Sequence, residues 1–160
     1  MVASGSMSPF RPRALCFVAL LAFALTACSF VETAPPSPTP ADFPDTAIEL
    51  TQRGIVIDHV VSGDAGCDDK VLGPTAIAFD ASGLDQPTVV RVYLYVFRNR
   101  ASFERLRATI DDCARTFVTD PDTYESIEQS PFVLVGQGPW GTKFEEALRA
   151  GLEVAAGTGG

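Results

Sequence analysis

The chain has 160 residues, of which 20 are acidic and 12 are basic, so its formal net charge is −8 at pH 7. A surface this acidic disfavours nucleic acid, because that binding depends on neutralising phosphates with lysine and arginine. It also disfavours electrostatic docking onto anionic lipid headgroups. The length is typical of one domain with one hydrophobic core, and no internal repeat indicates a second domain.

The first part of the chain has the three-part order of an export signal. Arg11 and Arg13 precede an apolar run over residues 14–25, and the small residues Thr26 and Ala27 follow. This apolar run of about 12 residues is shorter than the roughly 20 that a helix needs to span a bilayer. The segment is therefore interpreted as a cleaved signal peptide, with a retained membrane anchor as the alternative.

The sequence Leu25-Thr26-Ala27-Cys28 resembles the lipobox of bacterial lipoproteins. In that family the cysteine thiol receives a diacylglyceryl group, and the signal, here residues 1–27, is removed just before it. The resemblance implies an extracytoplasmic protein that is anchored to a membrane through lipid on Cys28, since two or more acyl chains anchor stably. Ser29, by the same resemblance, permits outer-membrane sorting in a double-membrane cell. A simple secretory signal remains the alternative.

Residues 28–44 are interpreted as a lipidated cysteine followed by a proline-rich linker. Five prolines lie among small and polar residues, at positions 35, 36, 38, 40 and 44. Proline favours the extended polyproline II conformation, and such a composition cannot bury enough apolar surface to fold. At about 3.1 Å per residue, the linker reaches at most roughly 50 Å from the membrane.

Hydrophobic periodicity and capping residues predict one α+β domain over 45–157, with a flexible tail at 158–160. In chain order the predicted elements are a helix at 45–53, strands at 55–61, 76–79 and 89–97, a helix at 102–117, a short helix at 120–128, a strand at 131–135 and a last helix from Thr142. The segment Thr142-Lys143-Phe144-Glu145 resembles a capping box. The predicted architecture is a small sandwich of helices on a mixed or antiparallel sheet.

Two of the four cysteines predict a disulfide. Cys16 leaves with the signal and Cys28 is assigned to lipid by the resemblance, which leaves Cys67 and Cys113. In an oxidising compartment an even pair in a small domain forms a bridge, and two separate buried thiols are the alternative. Closing a loop of about 47 residues stabilises the fold by roughly 4 kcal/mol through loop-closure entropy.

His59 is the only histidine, and strand alternation places it with Ile55, Ile57 and Val61 on a face expected to be buried. A general base needs a nucleophile within hydrogen-bond reach, and no Gly-x-Ser-x-Gly motif accompanies this histidine. A structural role is favoured. A hydrolase with a site near His59 and the Asp68–Asp69 loop is kept as the alternative.

The acidic loop around Cys67 predicts no metal site. Asp64, Asp68 and Asp69 lie close together, but Gly66 occupies a position where an EF-hand would need a ligand. A solvated turn is favoured over a calcium site, and zinc lacks enough histidine and free cysteine ligands. No cofactor is expected either.

Arginines and aromatic residues supply the candidate ligand-binding groups. One hypothesis is an anion site at the end of the predicted strand at 89–97, formed by Arg91, Arg98 and Arg100. The favoured alternative is that the arginines of this region pair locally with Glu104, Asp111 and Asp112. In a second hypothesis, three aromatic residues line a ligand groove; these are Tyr93, Tyr95 and Trp140. The favoured alternative is that Trp140 closes one end of the hydrophobic core.

The sequence thus predicts a lipid-anchored envelope protein, and its motifs indicate the location of the protein more specifically than its activity. A non-catalytic binding or interaction module is favoured, with an envelope protein or a small ligand as its partner and no role for nucleic acid. The envelope hydrolase is the alternative from another class, and a passive structural component is a third hypothesis.

Overall fold

The computed structural model describes residues 43–157, which form a five-stranded antiparallel sheet and three helices. The helices are α1 (Phe43–Gln52), α2 (Arg100–Ala114) and α3 (Thr142–Ala155). The strands are β1 (Val56–Ser62), β2 (Ala76–Gly83), β3 (Gln86–Val96), β4 (Tyr124–Gln129) and β5 (Phe132–Gln137). The predicted α+β architecture is confirmed. The predictions for the signal peptide, the lipobox, most of the linker and the tail concern residues outside this range.

The sheet has the strand order β1-β2-β3-β5-β4, so the long strand β3 lies at its centre. Along β3, Val92, Leu94 and Val96 contribute to the core on one face of the sheet. Tyr93 and Tyr95 alternate with them and contribute to the core on the other face. This alternation makes β3 a central strand that is covered on both sides.

Helices α1 and α3 cover one face and pack against each other. Leu50 from α1 and Phe144, Leu148 and Leu152 from α3 are all fully buried there. The other face is covered by α2 together with the loop before β2, which contribute Ile110, Cys113, Ala65 and Leu72. No helix within residues 43–157 has the length and hydrophobicity to cross a membrane.

The predicted short helix at 120–128 is wrong. Asp120 does cap a turn, because its carboxylate accepts a hydrogen bond from the Asp122 backbone N–H at 3.1 Å, but the turn ends at Thr123. From Tyr124 onward the chain pairs with β5 as an edge strand, which buries Ile127. Pairing with β5 outweighs the local helix signal at Asp120 and Pro121. Only the local signal can be recognised from the sequence.

The predicted capping box of the last helix is also wrong. Gly141 is the N-cap of α3 and makes no side-chain cap hydrogen bond. The Asp85 carboxylate, from the turn between β2 and β3, instead accepts hydrogen bonds from the backbone N–H groups of Lys143 at 3.0 Å and Phe144 at 2.9 Å. A Cβ atom at position 141 would collide with Asp85, so only glycine allows this approach.

The predicted disulfide between Cys67 and Cys113 is present, with the two Cα atoms 5.5 Å apart. It joins the loop before β2 to the last turn of α2. Two hydrogen bonds hold the same loop: the Tyr95 hydroxyl donates to the Ala65 carbonyl at 2.7 Å, and the Thr116 hydroxyl donates to the Gly66 carbonyl at 2.8 Å. The loop is thereby attached both to β3 and to the end of α2.

Candidate functional site

His59 lies on an exposed edge strand, so the prediction that it shares a buried face is wrong. Within residues 43–157, strand β1 pairs only with β2, and its ladder contains a bulge in which His59 and Val60 oppose the single residue Phe79. His59 has a positive φ of 47°, and its side chain is 73% exposed. A bulge interrupts strand alternation, which is why the alternation argument failed.

The histidine lies beside carboxylates and an arginine. Its Nδ1 atom is 3.2 Å from Asp80 Oδ2 and 3.5 Å from Asp58 Oδ2. Its backbone carbonyl accepts a hydrogen bond from Arg91 Nη1 at 2.8 Å. Arg91 also bonds Asp80 at 3.1 Å and Asp64 at 3.4 Å. We call these five residues, Asp58, His59, Asp64, Asp80 and Arg91, the Arg91 cluster.

Arg91 organises this cluster. Partial burial acts to lower the pKa of Arg91, but the hydrogen bonds that Arg91 donates to Asp80 and Asp64 outweigh it and raise the pKa. The guanidinium therefore stays charged and joins β1, β2 and β3 to the loop that follows β1. Among the hydrogen bonds of residues 43–157, none connects His59 to a serine, threonine or cysteine side chain, as nucleophilic catalysis would need.

The other loop carboxylates shape the backbone. Asp69 accepts hydrogen bonds from the backbone N–H groups of Val71 at 2.7 Å and Leu72 at 2.9 Å. Asp64 accepts one from Gly66 at 2.9 Å. The described part of the chain contains no group of three or more histidine, cysteine, aspartate or glutamate side chains that is arranged to hold a metal ion.

The structure does not bring the three candidate arginines together. Arg91 lies midway along β3 and Arg98 just past its end, so about 23 Å of extended chain separates them at 3.3 Å per residue. Arg100 is 85% exposed and pairs with Glu104 at 2.7 Å. Local ion pairs of the kind favoured from the sequence are also present between Arg107 and Asp111 and between Arg115 and Asp112.

The three candidate aromatic residues lie on different faces of the sheet. Tyr93 and Tyr95 belong to the core beneath α2, whereas Trp140 belongs to the core beneath α1 and α3. Trp140 packs edge-to-face on Phe144 with ring centroids 6.1 Å apart, and its indole N–H donates to the Gln137 carbonyl at 3.1 Å. Trp140 therefore closes the core, as the favoured alternative holds.

Two of the predicted residues, Arg91 and Tyr93, line a cleft of about 360 Å³. The Tyr93 ring lies 4.2 Å from the Phe117 ring, and Gln137 and Gly138 form part of the remaining wall. Burial raises the pKa of Tyr93, so its hydroxyl stays protonated at neutral pH. We call this the Tyr93 cleft.

A larger cleft of about 640 Å³ lies between the end of α2 and the start of β4. We call it the α2–β4 cleft, and it is lined by Arg107, Asp111, Ala114, Arg115, Val118, Thr119, Pro121 and Tyr124. Ala114 and Val118 are buried beneath it. Its volume lies within the range of about 300–1,000 Å³ that is typical of small-molecule sites.

One end of the α2–β4 cleft is a hydrogen-bonded network. Asp111 Oδ1 accepts from the Tyr124 hydroxyl at 2.8 Å and from Arg107 Nη1. Arg107 also donates from Nε to Glu128 and from Nη2 to the Ser126 hydroxyl at 3.2 Å. Burial, followed by the hydrogen bond to Asp111, raises the pKa of Tyr124 to about 12, so this hydroxyl remains a donor at neutral pH.

This cleft was not predicted from the sequence, because the segment that forms β4 carries a local helix signal at Asp120 and Pro121. The wall that α2 contributes could have been predicted from the sequence, because its residues recur at helical spacing on one face. They are Arg107, Asp111, Ala114 and Arg115. The opposite wall, from Pro121 to Tyr124, becomes visible only once β4 is paired with β5.

Comparison with protein-family models, curated proteins and solved structures finds no match for this chain.

Proposed function

We propose that this protein is a lipid-anchored, extracytoplasmic binding module of the bacterial cell envelope, without catalytic activity of its own. Lipid on Cys28 holds the chain on the membrane, and the proline-rich linker places the domain at a distance from it. The domain then presents a cleft to an envelope protein or a small ligand. The observation that carries the binding part of the proposal is the α2–β4 cleft.

The arrangement of this cleft supports binding. Its base is apolar, at Ala114 and Val118, and polar groups converge at one end, at Arg107, Asp111 and Tyr124. An apolar base with a few well-placed polar groups is the usual composition of a ligand site. The network holds its polar groups in fixed positions, so a ligand does not have to order them.

The disulfide supports the extracytoplasmic location. Disulfides persist in oxidising compartments and are rare where thiols are kept reduced. The Cys67–Cys113 bridge also ends on α2, one residue before Ala114 in the cleft base. An oxidising compartment would therefore keep intact a bridge that also holds the base of the proposed binding site.

The hydrolase alternative has one observation in its favour. His59 Nδ1 lies 3.2 Å from Asp80 Oδ2, and an aspartate that orients a histidine is one part of a catalytic triad. Binding is nevertheless favoured over hydrolysis, because Asp80 is already paired with Arg91 at 3.1 Å. The exposed histidine lacks the water-excluding surroundings that strengthen catalytic electrostatics.

The anchor is tested by replacing the cysteine that would carry the lipid. We expect Cys28→Ser to move the protein from the membrane fraction to the soluble extracytoplasmic fraction, or to leave the uncleaved precursor in the membrane. Cys16→Ser, within the same segment, is the matched control and should change nothing. A Cys28→Ser protein that is processed and stays on the membrane as the wild type does would refute lipid anchoring.

The binding part is tested by photocrosslinking in intact cells. A photoreactive amino acid at Thr119, on the exposed rim of the α2–β4 cleft, should give a specific adduct with a protein or a small molecule. The same group at Glu153, which is exposed on α3, is the control. Equal labelling from both positions, or none from Thr119, would count against a binding module that uses this cleft.

A further inference from the structure

We infer that the α2–β4 cleft binds an uncharged, hydroxyl-rich ring, the chemistry of a neutral sugar unit. This inference rests on the proposed binding function and names the class of ligand for the same site. It is carried by the free hydrogen-bonding capacity, the charge balance and the apolar wall of the cleft.

The network at the polar end leaves both donors and an acceptor free. Arg107 has five N–H donors, and three are used by Asp111, Glu128 and Ser126, so one N–H on each terminal nitrogen remains. Asp111 uses Oδ1 for Arg107 and Tyr124, while Oδ2 accepts no hydrogen bond from any residue within 43–157. Vicinal hydroxyls both donate and accept, so they match this adjacent pair of groups.

The charges around the cleft favour a neutral ligand. The Arg107 guanidinium is already paired with two carboxylates, those of Asp111 and Glu128. Arg115 at the other side is paired with Asp112 at 2.8 Å. A ligand carboxylate would compete with two protein carboxylates for Arg107, and a ligand ammonium would approach that same arginine. A hydroxyl group meets neither penalty, because it carries no charge.

The rest of the cleft supplies a surface for the less polar face of a ring. Pro121 and the half-buried Tyr124 line its wall, above the buried Ala114 and Val118. The C–H face of a sugar ring packs on such a surface while its hydroxyls point to the edge. The Arg107 side chain is only 20% exposed, which limits competition from water for the ligand's hydrogen bonds.

The experiment titrates the mature, lipid-bearing protein with three matched sugars in a detergent whose headgroup is not a sugar. The probes are methyl glucoside, which is neutral, glucuronic acid, which is anionic, and glucosamine, which is cationic. Calorimetry or saturation-transfer NMR should show the tightest binding for methyl glucoside. No binding of the neutral probe at tens of millimolar, or equal binding of all three, would overturn the inference.

Two variants assign the binding to this cleft. Asp111→Asn removes the charge of the free acceptor and should weaken neutral-sugar binding about tenfold, as expected for a hydrogen bond to a charged group. Glu104→Gln, on the same helix but outside the cleft, is the matched control and should leave affinity unchanged. Unaltered affinity in Asp111→Asn would place the sugar elsewhere.

A third variant guards against misfolding of Asp111→Asn, because that substitution also changes the acceptor of Arg107 and Tyr124. Thr119→Trp places a bulky ring on the exposed rim and removes only the exposed hydrogen bonds between the Thr119 hydroxyl and the Gln137 side chain. It should block sugar binding while the unfolding midpoint stays close to that of the wild type. Retained binding in this variant would also refute the inference. A protein that crosslinks through Thr119 in cells but binds no neutral sugar refutes the sugar and retains the binding module, so the two proposals fail separately.

Discussion

The two faces of the sheet are covered in different ways. On one face, α1 and α3 pack against each other and against a continuous apolar layer that includes Phe79 and Leu94. On the other, a single helix shares the cover with a loop that is held by a disulfide and by the Tyr95 hydroxyl. Both clefts open beside this second layer. A face covered by one helix thus leaves room for ligand sites and depends on a covalent link.

The largest expected loss of stability comes from the two-helix face. Phe144 is fully buried and packs on Trp140, so Phe144→Ala removes a large apolar side chain and leaves a cavity. We expect the free energy of unfolding to fall by about 3–5 kcal/mol. Urea denaturation measures this fall. Lys143→Ala, one residue earlier and exposed, is the control, and a fall below about 1 kcal/mol in Phe144→Ala would contradict the packing.

The disulfide is the corresponding test of the one-helix face. Replacing Cys67 and Cys113 by serine should lower the free energy of unfolding by about 4 kcal/mol through the larger conformational freedom of the unfolded chain. Hydrogen exchange should accelerate first in the loop at 63–72 and at the end of α2, and least in α1 and α3. A reducing agent should destabilise the wild type but not the double variant. Amides that exchange only through global unfolding should accelerate alike, so the comparison uses amides that exchange by local opening. Equal acceleration of such amides in the loop at 63–72 and in α1 and α3 would contradict the difference between the faces.

The Asp85 cap connects the β2–β3 turn to the two-helix face, and its effect depends on pH. Hydrogen bonds from Lys143 and then Phe144 lower the pKa of Asp85 below its ordinary value of 3.8, against an opposing desolvation effect. Because the folded-state pKa is lowered, the stabilisation is fully present above about pH 3.8 and is lost as the pH falls through the folded-state pKa.

Asp85→Asn should therefore lower the unfolding midpoint at pH 7, by less than the loss of the disulfide does, and should reduce the pH dependence in acid. Thermal unfolding from pH 2 to pH 7 measures both effects. Asp112→Asn, whose carboxylate is exposed on α2, is the control. A midpoint for Asp85→Asn that equals the wild-type value at pH 7 would show that the cap contributes nothing.

Sequence reasoning succeeded where local and tertiary signals agree. The hydrophobic periodicity of the β3 segment and of the α2 segment indicates which side chains are buried. The same side chains form the contacts between the sheet and the helix. The disulfide followed from counting cysteines once Cys16 and Cys28 were assigned elsewhere. The fold class was therefore readable before any strand pairing was known.

The failures share a physical cause, which is that a partner distant in sequence replaced a local one. Asp85 caps α3 from 58 residues away, in place of Thr142. The pairing of β4 with β5 overrides the helix start at Asp120. His59 leaves its expected face because of a bulge, and the sequence shows no local sign of it. The α2–β4 cleft combines these effects, since one of its walls exists only through strand pairing.

The smallest expected effect concerns His59, and it separates the two functional readings of the exposed edge. His59→Gln should change the free energy of unfolding by no more than about 0.5 kcal/mol, because the side chain is exposed. Arg91→Gln should cost more, about 1 kcal/mol after solvent screening, because it leaves Asp64 and Asp80 without their shared partner. Urea denaturation measures both values.

The same pair of variants tests the hydrolase alternative in cells. A strain that carries His59→Gln should match the wild type in growth and envelope integrity, whereas a deletion strain shows the full loss. A defect in His59→Gln as severe as the deletion, in a protein of normal abundance and stability, would make His59 a catalytic residue and overturn the binding proposal. Since Arg91 holds the cluster together through Asp64, Asp80 and the carbonyl of His59, a defect seen only in Arg91→Gln would instead indicate that the cluster maintains the structure around the Tyr93 cleft.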